Sequence, residues 1–180
     1  MLLHVLTEVE LFSKDLEYEY GTSLDQTGKV LRRFIGTATG IMFSKHDTKY
    51  LQRAIFTHNH PSGRCFSGED IMSLAFYDFL ELRAVTPLST YYSLKKKSVV
   101  SDAYRLTSAF LEEEKRLYQV AIDEEKEFIN SYGFIDDFMD VVYNSVSSGV
   151  ERWLLDNAEE YGYLFSRGSI NDKHQIDCSG

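Results

Sequence analysis

The chain's 180 residues, 43% hydrophobic and 26% charged, suffice for one buried core and have the balance of a soluble globular protein rather than a disordered or fibrous one. No apolar run approaches the ~20 residues of a membrane span, and two cysteines, Cys65 and Cys178, are too few for a disulfide framework. The net charge of −9 is uneven: residues 1–100 carry 12 basic against 11 acidic side chains, residues 101–180 carry 7 against 17, and that acidic half disfavours nucleic acid as a partner. Met1 to Leu6 reads as a short strand, with Leu11-Phe12 a second apolar patch, and this start lacks the pattern of a signal peptide, so a cytoplasmic location is expected. Glu17 to Leu24 has the aromatic and Thr content of a strand, Asp25-Gln26-Thr27-Gly28 is a turn, and Lys29 to Ile35 is a second strand, together a hairpin. Gly36-Thr37-Ala38-Thr39-Gly40 is a small-residue connection without the Gly-Lys-Ser/Thr ending of a phosphate loop.

Ser44 or Asp47 caps a short helix through Arg53, and Ala54-Ile55-Phe56 follows as a strand buried on both sides. Ser67-Gly68-Glu69-Asp70 has the form of a capping box, opening a helix from Gly68 to about Leu82 with Ile71, Leu74, Ala75, Phe79 and Leu82 at helical spacing. Arg83 to Thr86 and Tyr91 to Leu94 read as strands around a turn at Pro87–Thr90, and Lys95-Lys96-Lys97 as a solvated strand end. Ser101-Asp102 caps a long helix to about Tyr132, broken by Gly133. A second helical stretch runs from about Ile135 to Tyr161, interrupted at Ser147-Ser148-Gly149, with Trp153, Leu154, Tyr161 and Phe165 as packing residues. From Ser166 the chain reads as a loose polar tail.

Chemistry concentrates between Phe56 and Asp70. Alternation along a strand puts His58 and His60 on one face, roughly 7 Å apart. Asp70, in the first turn of the following helix, adds a carboxylate where the helix dipole favours one. Two imidazoles and a carboxylate are three ligands, the number a catalytic zinc takes while keeping one position open. Ser67 is a helix cap whose hydroxyl also suits an oxyanion donor. A base must come from elsewhere; Glu17 and Glu19, two apart on the predicted strand, face the same way. His46 reads as a surface residue, while His174 and Cys178 fall in the tail. Cys65 lies in the loop between ligands without a Cys-x-x-Cys pattern.

These residues resemble a known family, the JAB/MPN metalloproteases with the JAMM motif Glu…His-x-His…Ser-x-x-Asp. The nearest likeness is to its prokaryotic and phage branch, related to the RadC group, through His58-Asn59-His60-Pro61-Ser62-Gly63. Asp25-x-x-Gly28, Thr57, Arg83-Ala84-Val85 and Tyr92-Ser93-Leu94 extend the likeness over residues 15–97. The loop Pro61–Phe66 is one residue shorter than in the widespread pattern, as in phage-type relatives.

The resemblance implies an α/β fold with a mixed sheet flanked by helices: a JAB/MPN-like domain over 1–100, an acidic helical extension over 101–165, and the tail 166–180. It implies Zn2+ held by His58, His60 and Asp70, Ser67 as oxyanion donor, and Glu19 (Glu17 in reserve) as base. The expected activity is hydrolysis of a peptide or isopeptide bond in a protein or peptide substrate, ubiquitin-like conjugates included. The competing expectation is a non-enzymatic partner-binding or phage-morphogenesis module on the same scaffold. For the C-terminal helices, packing on the domain, oligomerisation and blocking of the metal cleft all remain open.

Overall fold

The computed structural model describes residues 1–97, 101–133 and 137–170. It opens with helix α1 (Leu2–Ser13) and the antiparallel hairpin β1 (Tyr20–Leu24) and β2 (Val30–Ile35). The predicted turn joins them: the Asp25 carboxylate accepts from the backbone N–H groups of Thr27 and Lys29, and Gly28 takes φ of 92°, where a side chain would be strained. Short α2 (Thr48–Leu51) leads to β3 (Ile55–Asn59), every residue of which is buried. Helix α3 (Gly68–Tyr77) then crosses to β4 (Glu81–Val85), parallel to β3, and β5 (Thr90–Lys96) returns antiparallel. The long helices α4 (Ala103–Tyr132) and α5 (Phe138–Asn157) pack on each other, α4 also packs on α3, and β6 (Tyr163–Ser169) pairs with β5. The result is one mixed six-stranded sheet, ordered β2-β1-β3-β4-β5-β6, with helices on both faces. No described helix is long and apolar enough to cross a membrane.

Alternation along β3 distributes the chemistry. Ile55 and Thr57 face α1, where Leu6, Leu24 and Ile55 form a small apolar cluster. Phe56 and His58 face α3–α5 and a larger cluster running from Phe34 through Leu94 to Leu154 and Tyr163. Residues 101–170 thus share a core with the first hundred, and the C-terminal helices pack on the sheet instead of standing apart. On the α1 side the Arg83 guanidinium is buried between two carboxylates. Nε donates to Glu10 at 2.6 Å and Nη1 to Glu81 at 2.8 Å, Thr57 Oγ1 also donates to Glu10, and Arg83 lies over the Tyr91 ring. The ion pairs hold the Arg83 pKa above its ordinary value, outweighing the burial that would lower it.

Several expectations are corrected. The segment predicted as a strand over Met1 to Leu6 is helical from Leu2, because the buried face of α1 consists of Leu6, Thr7, Glu10 and Ser13, at spacings of one, three and three. Half of that face is polar and escapes a hydrophobicity pattern, while Phe12 is exposed. Helix α3 stops at Tyr77, short of Leu82, because Asp78 turns left-handed (φ 50°) and its carboxylate is held by Lys96 at 2.6 Å. Phe79 and Leu82 then bury from the following loop and strand.

Ser147-Ser148-Gly149 does not interrupt α5. Gly149 lets α4 come close: a Cβ there would lie 2.6 Å from Leu117 Cδ2. Tyr161 closes a 3-10 turn (Ala158–Tyr161), and Ser166 to Ser169 belong to an edge strand instead of a loose tail. Lys96 and Lys97 are ion-paired with Asp78 and Glu159, so only part of that basic run is simply solvated. His174, Cys178 and the start of the second helical stretch at Ile135 lie outside the described residues.

Candidate metal centre

His58 is in β3, and His60 continues its course: the His60 N–H donates to Val85 O at 2.8 Å, extending the pairing with β4 by one step. Both rings therefore project from the same face, as alternation requires. Asp70 comes from the first turn of α3, where the predicted capping box forms in full. Ser67 Oγ accepts from the Asp70 N–H, while Ser67 N–H and Oγ–H donate to Asp70 Oδ2 at 2.7 and 2.8 Å. The box fixes the carboxylate beside the two rings. His58 Nε2 lies 3.0 Å from Asp70 Oδ1 and 2.8 Å from His60 Nε2, and His60 Nε2 lies 3.4 Å from Asp70 Oδ2.

These three side chains offer one ligand atom each, all within 4.8 Å of one another. A four-coordinate zinc with ligands at ~2.0–2.1 Å needs donor atoms about 3.3 Å apart, close to the separations found. The tautomer fits too. His60 Nδ1 lies 2.9 Å from Arg64 O, a carbonyl that only accepts, so Nδ1 carries the proton and a neutral ring turns its Nε2 lone pair into the cluster. Two neutral imidazole lone pairs 2.8 Å apart repel unless a proton or a cation lies between them. His58 is 2% exposed and its buried Nδ1 has no hydrogen-bond partner among the described residues, so the ring engages its polar surroundings through Nε2. The donor set fits a divalent cation.

Without a cation the charges settle on one another. Burial alone would lower the His60 pKa, but the Asp70 carboxylate and the Arg64 carbonyl outweigh it and push the ring up to about 9. Burial would raise Asp70, yet the two histidines hold it well below the usual carboxylate range.

Glu19 lies one residue before β1. Its N–H donates to Thr37 O at 2.7 Å and its carbonyl accepts from Gly36 at 2.8 Å, so the pairing of the strand extends to it. Gly36 is required here, since a Cβ would lie 2.3 Å from Gly40 O. Glu19 borders two cavities that meet at the ligand cluster. One, of about 210 Å³, includes His60, Ser67, Tyr118 and Tyr143; the other, of about 330 Å³, includes His58, Ser67, Asp70 and Phe43. Burial raises the Glu19 pKa, partly offset by the histidines nearby. Glu17 is exposed and borders neither cavity. Of the two glutamates named from the sequence, Glu19 is the one placed at the cluster.

Asn59 carries a role that the sequence reading passed over. Fully buried between the histidines, it projects to the opposite face, donates Nδ2 to Leu16 O and Tyr18 O, and accepts from Tyr20 N–H at 2.6 Å. It thereby fastens the segment carrying Glu19 to the strand carrying His58; its position in His-Asn-His was the available signal. Cys65 is buried, and burial pushes its thiol pKa far up, which removes it as a nucleophile. A larger hollow of about 490 Å³, among Leu2, Arg53, Leu80 and Lys95–Lys97, borders none of these residues. Comparison with protein-family models, curated proteins and solved structures finds no match to this chain.

Proposed function

We propose that the chain is a zinc-dependent peptidase or isopeptidase of the JAB/MPN type, with His58, His60 and Asp70 holding the metal. The observation that carries this reading is the convergence of the three ligand atoms within 4.8 Å, with a partly buried glutamate lining the adjoining cavities. Zinc supplies, when bound, a Lewis acid that polarises a carbonyl and acidifies water. Glu19, its proton affinity raised by burial, takes the proton of the attacking water and returns it to the leaving amine nitrogen. Ser67 turns its Oγ–H from Asp70 Oδ2 toward the carbonyl oxygen of the substrate, where negative charge develops. Asp70 and Arg64 O hold the two rings, and Asn59 holds the strand bearing the base. Two cavities sharing Glu19 and Ser67 leave room on both sides of the scissile bond, which suits a protein or peptide chain, ubiquitin-like conjugates included, better than a small amide.

Metal analysis of the wild type beside His60→Ala, run with a screen of peptide and isopeptide substrates, tests this. The expected result is one zinc per chain, lost in His60→Ala, and a cleavage abolished by chelation and by Asp70→Asn. Glu19→Gln is expected to keep the zinc and lose about 10²–10⁴-fold in rate. A wild type that takes up no zinc, or cleavage that survives Asp70→Asn, overturns the proposal. A stoichiometric complex with a partner that persists through chelation points instead to a binding module.

A further inference from the structure

Both segments that carry the late ligands are gripped by the C-terminal helices. The loop after His60 is held by α5: the buried Cys65 N–H donates to Ser147 Oγ at 2.8 Å. Its neighbour Arg64 donates Nη2 to Asp140 at 2.8 Å and lies over the Tyr143 ring. The same Arg64 offers its carbonyl to His60 Nδ1. The orientation of the His60 ring thus depends on a peptide unit whose other end is fastened to α5. The N-terminus of α3 is held by α4: Gly68 N–H donates to Glu114 Oε1 at 3.1 Å, two residues before Asp70. Gly68 is buried against Leu111, and a Cβ there would lie 2.8 Å from Glu114 Oε2, so α4 closes directly on that turn.

We infer that Ser147 and Glu114 are positioning residues of the metal centre, and that the α4–α5 pair is its outer tier of support. Partners that orient a ligand without touching the metal typically account for 10–100-fold in affinity. The bond from Ser147 fixes the Arg64–Cys65 peptide; the bond from Glu114 fixes the helix start that aims Asp70. Neither residue touches a ligand itself, and neither belongs to the His-x-His…Ser-x-x-Asp motif. The inference rests on the metal reading and adds to it where the ligand geometry comes from.

The test is zinc affinity of the full chain, by competition with a chromogenic chelator, with the visible spectrum of the Co2+-loaded protein as a second readout. Ser147→Ala and Glu114→Ala are each expected to weaken zinc 10–100-fold and to shift the Co2+ bands. Ser147→Thr, which keeps the hydroxyl, and Glu114→Gln, which keeps an acceptor oxygen, are expected to stay within a few-fold of the wild type. Leu154→Ala, in the core of α5 away from the loop, controls for packing. It should lower the melting temperature and leave the zinc affinity of the folded protein unchanged. Wild-type affinity in both alanine variants overturns the inference and leaves the metal reading standing, as does an equal loss in Leu154→Ala. A wild type that binds no zinc overturns both.

Discussion

Glu10→Gln isolates the electrostatics of the fold behind β3, the strand that carries His58. The substitution keeps the volume of the side chain, so no cavity forms, and removes one charge from a site where Glu10 is 0% and Arg83 4% exposed. The amide keeps one acceptor oxygen, so Arg83 retains one of its contacts at 2.6 and 3.2 Å, now to a neutral group; the N–H₂ faces Arg83 Nη2–H or, flipped, Arg83 Nε–H and the Thr57 hydroxyl, which then loses its acceptor. A charge pair about 4 Å apart at an effective dielectric of ~20 is worth roughly 4 kcal/mol, and breaking a buried pair from one side costs about 3–5 kcal/mol. Because Glu81 still accepts from Arg83 at 2.8 Å, the lower end applies, about 3 kcal/mol. For a chain of this size that corresponds to roughly 6–12 °C in melting temperature. Urea unfolding of the metal-free protein measures it, repeated at high salt, where a pair this buried loses little. Arg83→Met and the double variant complete a cycle that isolates the Glu10–Arg83 coupling, and the double variant stays destabilised because Glu81 is left buried without its guanidinium. A loss below about 1 kcal/mol, or a coupling near zero, would refute the buried-pair reasoning.

Zinc uptake by the metal-free protein at pH 7 should release about one proton, because His60, pushed up to about 9, is protonated there and must be neutral to bind. Calorimetry in buffers of different ionisation enthalpy reads the proton, which should vanish above pH 10. If the cleavage is found, its acid limb should lie on the high side of an ordinary glutamate, since activity needs Glu19 ionised and burial raises its pKa. A limb that stays in place in an active Glu19→Asp variant with altered rate would assign the limb to another group. Gly149→Val should destabilise by about 1–3 kcal/mol through overpacking against Leu117, measured by thermal melts, whereas a neutral effect would mean that α4 and α5 part easily.

The parts of this molecule legible in its residues are those where local chemistry and tertiary need agree. The hairpin turn at Asp25–Gly28, the capping box at Ser67–Asp70 and the cap at Asp102 announce themselves because each satisfies its own backbone. The three candidate ligand positions come forward from strand alternation and from a carboxylate in the first turn of the next helix. What escaped is what only the assembled fold decides. Helix α1 hides its buried face behind Glu10 and Thr7, whose partners lie 73 and 47 residues away or one turn back. Asp78 ends α3 in a conformation that Phe79 and Leu82, at helical spacing, contradict. Strand β6 contains Ser, Arg and Gly because it is an edge strand, exposed or half-buried along its length after the fully buried Tyr163. Ser147 reads as a helix breaker in sequence and serves as a hydrogen-bond acceptor in space.

The bond between Cys65 and Ser147 spans 82 positions of chain, and this separation sets an order of events during synthesis. All three candidate ligands leave the ribosome within thirteen residues of one another, long before the helices that hold their supporting loop exist. A nascent chain therefore carries the three candidate metal-binding side chains with only the local capping box to aim one of them, and slow long-range closure comes last. If geometry and not composition sets the affinity, chains stalled before α5 emerges should release zinc readily and those stalled after it should retain it. Retention already at the shorter lengths would contradict this order. On the proposed function, the delay would also keep the hydrolytic centre unassembled while the rest of the backbone is still being made.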